Sequence, residues 1–330
     1  RMSTPSKPHA VYLQDRSAAP QTTTRGWVRG VYQHAIEYTT FDKSVRGVVF
    51  LFGGVLMASG AGFGCWLIGM VLFDGFTGRW GPPSWFEYFV VLPSFFIFLA
   101  IGLFALIHYG RREFFRPLDL PIIFDRQRRK VYRLDQTPPL SVFSAFKPWP
   151  IRYLEHDWDD IVAEHGVVTF TTGSSAHRQH TLALMVRDKN AGDFKGPITP
   201  DNTPPYVDGF TLGDPKTLSE LTVPLVWEHL RRYMNENGPA LPPGEQLADT
   251  TVPVTWWDSL GAVSVFGPGY VKRWRDGWGW MTIMHLLSPL MLPLAVLIAT
   301  TNWLSYKTAY PVQWPQEVLD KVGPPMKPSN

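Results

Sequence analysis

Three long stretches without a charged residue, at 48–73, 88–110 and 277–306, constrain this chain more than any other feature. Each exceeds the roughly 20 residues that a helix rising ~1.5 Å per residue needs to cross a ~30 Å hydrocarbon core. A soluble core would instead place apolar residues at a period of 2 or 3.6, not in unbroken blocks. The mean hydropathy of −0.07 conceals the pattern, because the polar residues gather in the middle of the chain. The sequence therefore predicts a membrane α-helical protein with about three spans, at 48–73, 88–110 and 277–305.

Lysine and arginine set the expected orientation. Arg25, Arg29, Lys43 and Arg46 precede the first span, and Arg111, Arg112 and Arg116 follow the second. Lys272, Arg273 and Arg275 precede the third, whereas the 74–87 loop holds only Arg79. The positive-inside rule then puts the N-terminal segment 1–46 and the central region 111–276 in the cytoplasm. It puts the 74–87 loop and the tail 306–330 outside, the tail as an extended segment. Trp80, Trp85, Trp278, Trp280, Trp303 and Trp314 are predicted at membrane interfaces, as in aromatic belts. Residues 1–46 are polar and basic and lack the apolar core of a signal peptide.

The first span is rich in small residues. Gly54, Ala58 and Gly62 recur every four residues, as do Gly60 and Gly64. Small side chains let helices approach closely in lipid, so these five mark a packing face, either for span two or for a second copy of the chain. The third span carries His285, Pro289 and Pro293. His285 and His108 are read as interfacial histidines near cytoplasmic ends. No Asp, Glu, Lys or Arg lies mid-span, which argues against a proton-coupled transporter or a charged channel.

Residues 111–276 read as an α+β domain. Short strands flank a charged turn within 121–134, and further strand pieces fall at 151–154 and 158–163. Residues 166–172 and 180–186 form a hairpin pattern. Residues 190–216 are rich in Pro, Gly and Asp and read as loop. A helix follows over about 215–237, with Pro215 at its start, Pro224 as an alternative start and Gly238 at its end. Residues 238–270 read as a connector back to the membrane.

Candidate chemistry is sparse. A net charge of +3 gives no nucleic-acid footprint. The single cysteine, Cys65, lies in an apolar run, so no intramolecular disulfide is possible. Phosphate-loop, nucleophile-elbow and zinc-protease motifs are absent from the sequence. His156, His165, His177 and His180 fall in the central region, with His177-Arg-Gln-His180 read as a polar turn rather than a zinc site. Glu155, Asp157, Asp159 and Asp160 around Trp158 read as exposed carboxylates on a strand. No cofactor or metal is expected. Arg126, Arg128, Arg129, Lys130 and Arg133 form a basic cluster able to meet anionic headgroups, each charge adding ~1 kcal/mol near such a surface; a solvated hairpin face is the plainer alternative.

Short strands closed by one amphipathic helix resemble a membrane-tethered pleckstrin-homology-like domain, a partly open β-barrel. The resemblance rests on the 123–132 hairpin, on Asp157-Trp-Asp-Asp-Ile161, and on the following hairpin and helix. The whole chain is similar to bacterial inner-membrane proteins that carry spans on both sides of such a domain and are encoded beside type VI secretion effectors. The resemblance implies a non-enzymatic partner-binding role, in immunity to a secreted effector or toxin or in assisting it, with membrane lipids as surroundings and homo-oligomers through span one. The alternatives are a lipid-headgroup scaffold and a membrane enzyme. The last would need two or more titratable groups converging in a cleft at the membrane face.

Overall fold

The computed structural model describes residues 7–40, 46–78, 84–137, 144, 146–147, 149–172, 175–192, 194 and 196–326. Arg79 and Trp80 lie outside them. Three helices are long and apolar enough to cross a membrane: α1 (Phe50–Phe76), α2 (Glu87–Glu113) and α6 (Trp278–Thr308). They coincide with the three charge-free stretches. Their side chains are mostly exposed, Leu56, Phe73, Phe89, Leu286 and Leu290 among them, as a surface that meets lipid requires.

α1 and α2 form an antiparallel hairpin. Among the covered positions of α1, Leu51, Gly54, Ala58, Ala61, Cys65, Ile68, Leu72 and Gly75 recur at an alternation of three and four residues. That spacing averages 3.5 and keeps one seam facing a supercoiled partner. A Cβ on Gly64 would come 2.6 Å from the Phe98 ring, and one on Gly102 would come 3.2 Å from the Ala61 side chain. Gly54, Ala58 and Gly64 of the expected face thus meet α2. Gly60 and Gly62 face open space, where a Cβ on either would meet nothing within 4 Å. Steps of four residues turn about 400°, so Gly62 drifts about 80° from Gly54 and leaves the seam.

The domain draws on both ends of the chain. One antiparallel sheet has the order β1-β7-β8-β9, with β1 (Ala10–Tyr12), β7 (Ile161–Thr172), β8 (Ser175–Arg187) and β9 (Tyr206–Leu212). The other has the order β2-β3-β4-β5-β6, with β2 (Val28–Val31), β3 (Ala35–Tyr38), β4 (Ile122–Asp125), β5 (Lys130–Asp135) and β6 (Arg152–Asp157). The N-terminal segment therefore supplies three strands, and β3 pairs directly with β4, Ile36 opposite Phe124. Both sheets are open; they do not close into one barrel. β6 and β9 touch through side chains, not through a hydrogen-bonded ladder.

The inner faces of both sheets pack with α3 (Thr222–Asn235) around Tyr38, Phe124, Trp158, Leu184 and Trp227. The Trp158 and Trp227 rings stack 5.5 Å apart. Pro215 begins a separate short turn, and the regular helix starts at Thr222, with Pro224 in its first turn, where a missing N–H costs nothing. Glu228 on α3 ties down the N-terminal coil by accepting from Ser17 Oγ, the Ala18 N–H, Arg231 and Arg232. Burial pushes its pKa up, but these donors outweigh burial and hold it at about 2.

The C-terminal tail corrects an expectation. It is neither extended nor on the far side of the spans. α7 (Gln316–Val322) packs Val318 and Val322, with Trp314, against Ala35, Ile123, Tyr132 and Leu134 on the outer face of the five-stranded sheet. The Trp314 indole donates to Glu37 Oε1 at 2.7 Å, so Trp314 is a core residue and not an interfacial one. The Met326 N–H donates to the Val31 carbonyl at 2.7 Å. A segment built into the domain core lies on the domain's side of any membrane the helices cross.

The helix roots converge accordingly. The Gly47 N–H donates to Glu113 Oε1 at 2.7 Å, Ser305 Oγ to the Glu113 carbonyl at 3.0 Å, and Asn302 Nδ2 to the Arg46 carbonyl at 3.2 Å. Gly47 has φ 91°, and a Cβ there would sit 2.5 Å from the Thr301 carbonyl carbon, so only glycine fits. From this root α6 runs away from the domain for about 46 Å. Residues 249–277 run beside it in the opposite sense, through α4 (Trp256–Val263) and α5 (Tyr270–Asp276). Trp256 Nε1 donates to Thr300 Oγ1 at 3.0 Å, Leu260 packs on Ala295 and Ala299, and Tyr270 meets His285 at 2.9 Å. His285 and the triplet Lys272, Arg273 and Arg275 consequently sit at the end of α6 remote from the domain, opposite to the expected placement.

Candidate binding cleft

Where the two sheets splay apart they border an open cavity of about 590 Å³. Its apolar walls include Leu120, Ile122, Met185 and Phe210. Thr40 and Leu120, also in the lining, stand just before the first span and just after the second, so the cavity lies on the membrane-facing side of the domain.

Strand alternation explains how charge enters this apolar space. On β5, Val131 faces the shared core, so Arg133 and Asp135 follow on the same inward face. On β6, Glu155 and Asp157 point outward to Lys130, while His156 between them points inward. On β9, Asp208 lies between them. It pairs with Arg133 Nη2 at 3.0 Å and with His156 Nε2 at 2.9 Å. The Arg133 guanidinium also lies over the Phe210 ring at 5.2 Å, and His156 stacks on the same ring. Burial pushes the Asp208 carboxyl up, but the His156 and Arg133 partners and the Gly209 N–H hold it below the ordinary range. Arg133 is only 9% exposed, and its buried Nε has no hydrogen-bond partner. Of these titratable groups, Arg133 and Asp135 line the cleft, and Asp208 stands behind Arg133 with His156 on its other side.

The remaining sequence candidates are spent on the fold. Arg126 lies over the Tyr233 ring, Arg128 pairs with Asp125, Arg129 with Asp159, and Lys130 with Glu155 and Asp157. The 126–129 turn sits against the end of α3 and Lys321 of α7 rather than against the helix roots. The basic cluster is therefore engaged within the domain, and only Arg133 reaches the cleft. The acidic run is used in the same way, with Asp160 on Lys189 at 2.7 Å.

His165 and His180 contact each other at 2.8 Å between Nε2 and Nδ1, with Tyr12 and His9 alongside. Burial first, then His180 and His9, lower the His165 pKa to about 4. The His177 side chain lies outside the described residues. Among the described residues no group of three or more His, Cys, Asp or Glu is placed to hold a metal ion.

The cleft is hard to find in the sequence because Asp208 lies in a Pro- and Gly-rich stretch that reads as loop, and β9 is its hidden strand. The available signal is alternation: Arg133 and Asp135 continue the inward face of β5, and His156 alternates with outward carboxylates.

A family model matches residues 97–322, more than half of the chain, under the description "family of unknown function". The chain belongs to the DUF6708 family. The DUF6708 match starts within α2 and ends with α7, so it takes in the tail helix together with the central domain. No curated protein matches. No solved structure matches.

Proposed function

We propose that this DUF6708 protein is a non-enzymatic, membrane-anchored binding protein whose inter-sheet cleft receives its ligand. The cleft itself carries the reading. Its volume falls in the ~300–1,000 Å³ range of ligand sites, and apolar walls with a few convergent polar groups are the usual make-up of such sites. Arg133 and Asp135, with Asp208 behind Arg133, supply the fixed polar contacts, and the cavity opens to the surface.

In its specific form, the proposal is a bacterial inner-membrane protein with the domain in the cytoplasm, acting in immunity to a type VI effector or in assisting one. That form rests on the resemblance of the whole chain. Among the described residues, orientation rests on Arg46, Arg111, Arg112, Arg116 and Lys307 at the domain end of the spans, against Lys272, Arg273 and Arg275 at the other. The pleckstrin-homology likeness is part of the same proposal, supported by the strand-rich domain closed by α3. A headgroup scaffold acting through residues 126–130 has less support, because those cations already have partners.

The His156–Asp208 pair favours one second reading. A histidine oriented by a carboxylate beside a partly apolar cleft is a general-base arrangement. Among the described residues no Ser or Cys lines the cleft, so such chemistry would activate water.

The test is co-expression with the product of the neighbouring gene, followed by purification in mild detergent. The binding reading predicts co-elution that is lost in Thr211→Trp, an exposed lining position, and kept in Val207→Trp, an exposed position outside the lining. Co-elution unchanged by Thr211→Trp removes the cleft from the interaction. Absence of both co-elution and protection removes the immunity form.

A further inference from the structure

The chain leaves the domain at Ala248, whose N–H donates to the Val28 carbonyl at 2.7 Å, and reaches the remote end of α6 at Gly277. Trp256 touches Thr300, and Gly277 adjoins Trp278, so the path descends about 33 Å along α6. That distance matches the ~30 Å hydrocarbon core. The domain and the tail hold the other end of α6, and any membrane crossed by α6 is therefore crossed by this segment as well.

The segment is built for that passage although no long apolar run announces it. α4 opens with a capping box in which Thr255 and Asp258 satisfy each other's backbone N–H groups. The break between α4 and α5 satisfies its own backbone. Ser264 Oγ donates to the Leu260 carbonyl at 2.8 Å and accepts from the Phe266 N–H at 3.1 Å. Arg273 Nη2 donates to the Val265 carbonyl at 3.0 Å and the Gly267 carbonyl at 3.4 Å. Non-helical backbone at membrane depth needs such internal partners, since lipid offers none. The glycines allow the close fit: a Cβ on Gly267, at φ 113°, would come 2.4 Å from Gly261 Cα. Beyond the break, Lys272 and Arg275 are exposed, with Trp278 and Trp280 beside them at 74% and 64% exposure. Exposed cations and tryptophans at the end of a span are the composition of a headgroup interface.

We propose that residues 254–277 form a fourth, broken membrane crossing, and that α5 rests on phospholipid headgroups of the leaflet opposite the domain through Lys272 and Arg275 with the tryptophans at 278 and 280. The chain then crosses four times, and the first and last described residues lie on the domain's side.

The experiment uses the full chain in a Cys65→Ala background, which removes the only native thiol. Single cysteines are placed at Lys272→Cys and, as a domain reference, at the exposed Asp201→Cys. Cells expressing each are treated with a membrane-impermeant maleimide before and after permeabilisation. The proposal predicts opposite behaviour: one site labels in intact cells and the other only after permeabilisation. Labelling of both from the same side overturns it, as does a Lys272→Cys site that no reagent reaches from either side. A monodisperse elution profile for each variant in detergent establishes that the labelled chains are folded.

Discussion

Two hairpins descend from the same domain and are held together by different means. In α1–α2, both arms are continuous apolar helices, and the seam is small side chains at 3.5-residue spacing. In the α4–α5/α6 pair, one arm is continuous and the other is two short helices. There the seam is Leu260 on two alanines, plus side-chain hydrogen bonds that repair a broken backbone. The first arrangement needs no polar group and writes itself into the sequence as two charge-free runs. The second carries Asp258, Lys272, Arg273 and Arg275 through or to the edges of the same apolar layer, so no hydropathy window singles it out. Apolar runs therefore count helices that cross alone, and they miss a crossing that leans on a neighbour.

The comparison breaks most easily at the tail, because only an even number of crossings lets α7 reach the domain. Trp314→Ala removes a 7%-exposed indole and its hydrogen bond to Oε1 of buried Glu37, whose Oε2 keeps Arg29 and Tyr32. We expect a loss of about 3–5 kcal/mol, the cost of truncating a buried tryptophan, read as thermal unfolding in detergent. An unchanged midpoint would mean that the tail is not part of the domain core.

The α1–α2 seam gives a smaller and sharper contrast. Gly64→Leu drives a side chain into the Phe98 ring and should cost about 1–3 kcal/mol, as overpacking does. Gly62→Leu, facing open space, should stay within about 0.5 kcal/mol. Equal effects would contradict the 3.5-residue seam.

The gentlest probe is pH, through two histidines of the domain. Burial lowers His229 to about 4 from its ordinary 6.5. There Tyr38 donates to Nδ1 at 2.6 Å and Nε2 donates to the Pro239 carbonyl. His165 is held at about 4 as well. The unfolded chain takes up these protons near pH 6.5 and the folded chain only near 4, so protonation in between favours unfolding. Stability should be full above about pH 6.5 and fall as pH drops toward 4. His229→Gln should flatten part of that slope in melts between pH 7.5 and 4.5.

The legible and the hidden parts of this chain differ physically. The three spans carry unbroken apolar runs, and the β4–β5 and β7–β8 hairpins carry their own strand and turn patterns, so a local reading finds them. β1–β3 and α7 are short, and they become structure only by pairing with distant residues, as Ala10 does with His165 and Ile36 with Phe124. The basic cluster looks free in the sequence because its partners, Asp159, Glu155 and the end of α3, come from elsewhere in the chain. Arg133 is visible there, but as one charge among five. Only β9, concealed by Pro204, Pro205 and Gly209, turns it into a member of the cleft.

The central claim is that the chain's two ends meet on one domain, and a crosslink tests it most directly. Tyr32 and Pro325 face each other in an antiparallel bridge, a spacing at which a disulfide can form. In membranes, Tyr32→Cys with Pro325→Cys in the Cys65→Ala background should oxidise to an intramolecular disulfide, seen by mass spectrometry as one bridged peptide pair that reduction releases. Two thiols that stay free under the same oxidation would place the ends apart and contradict the account.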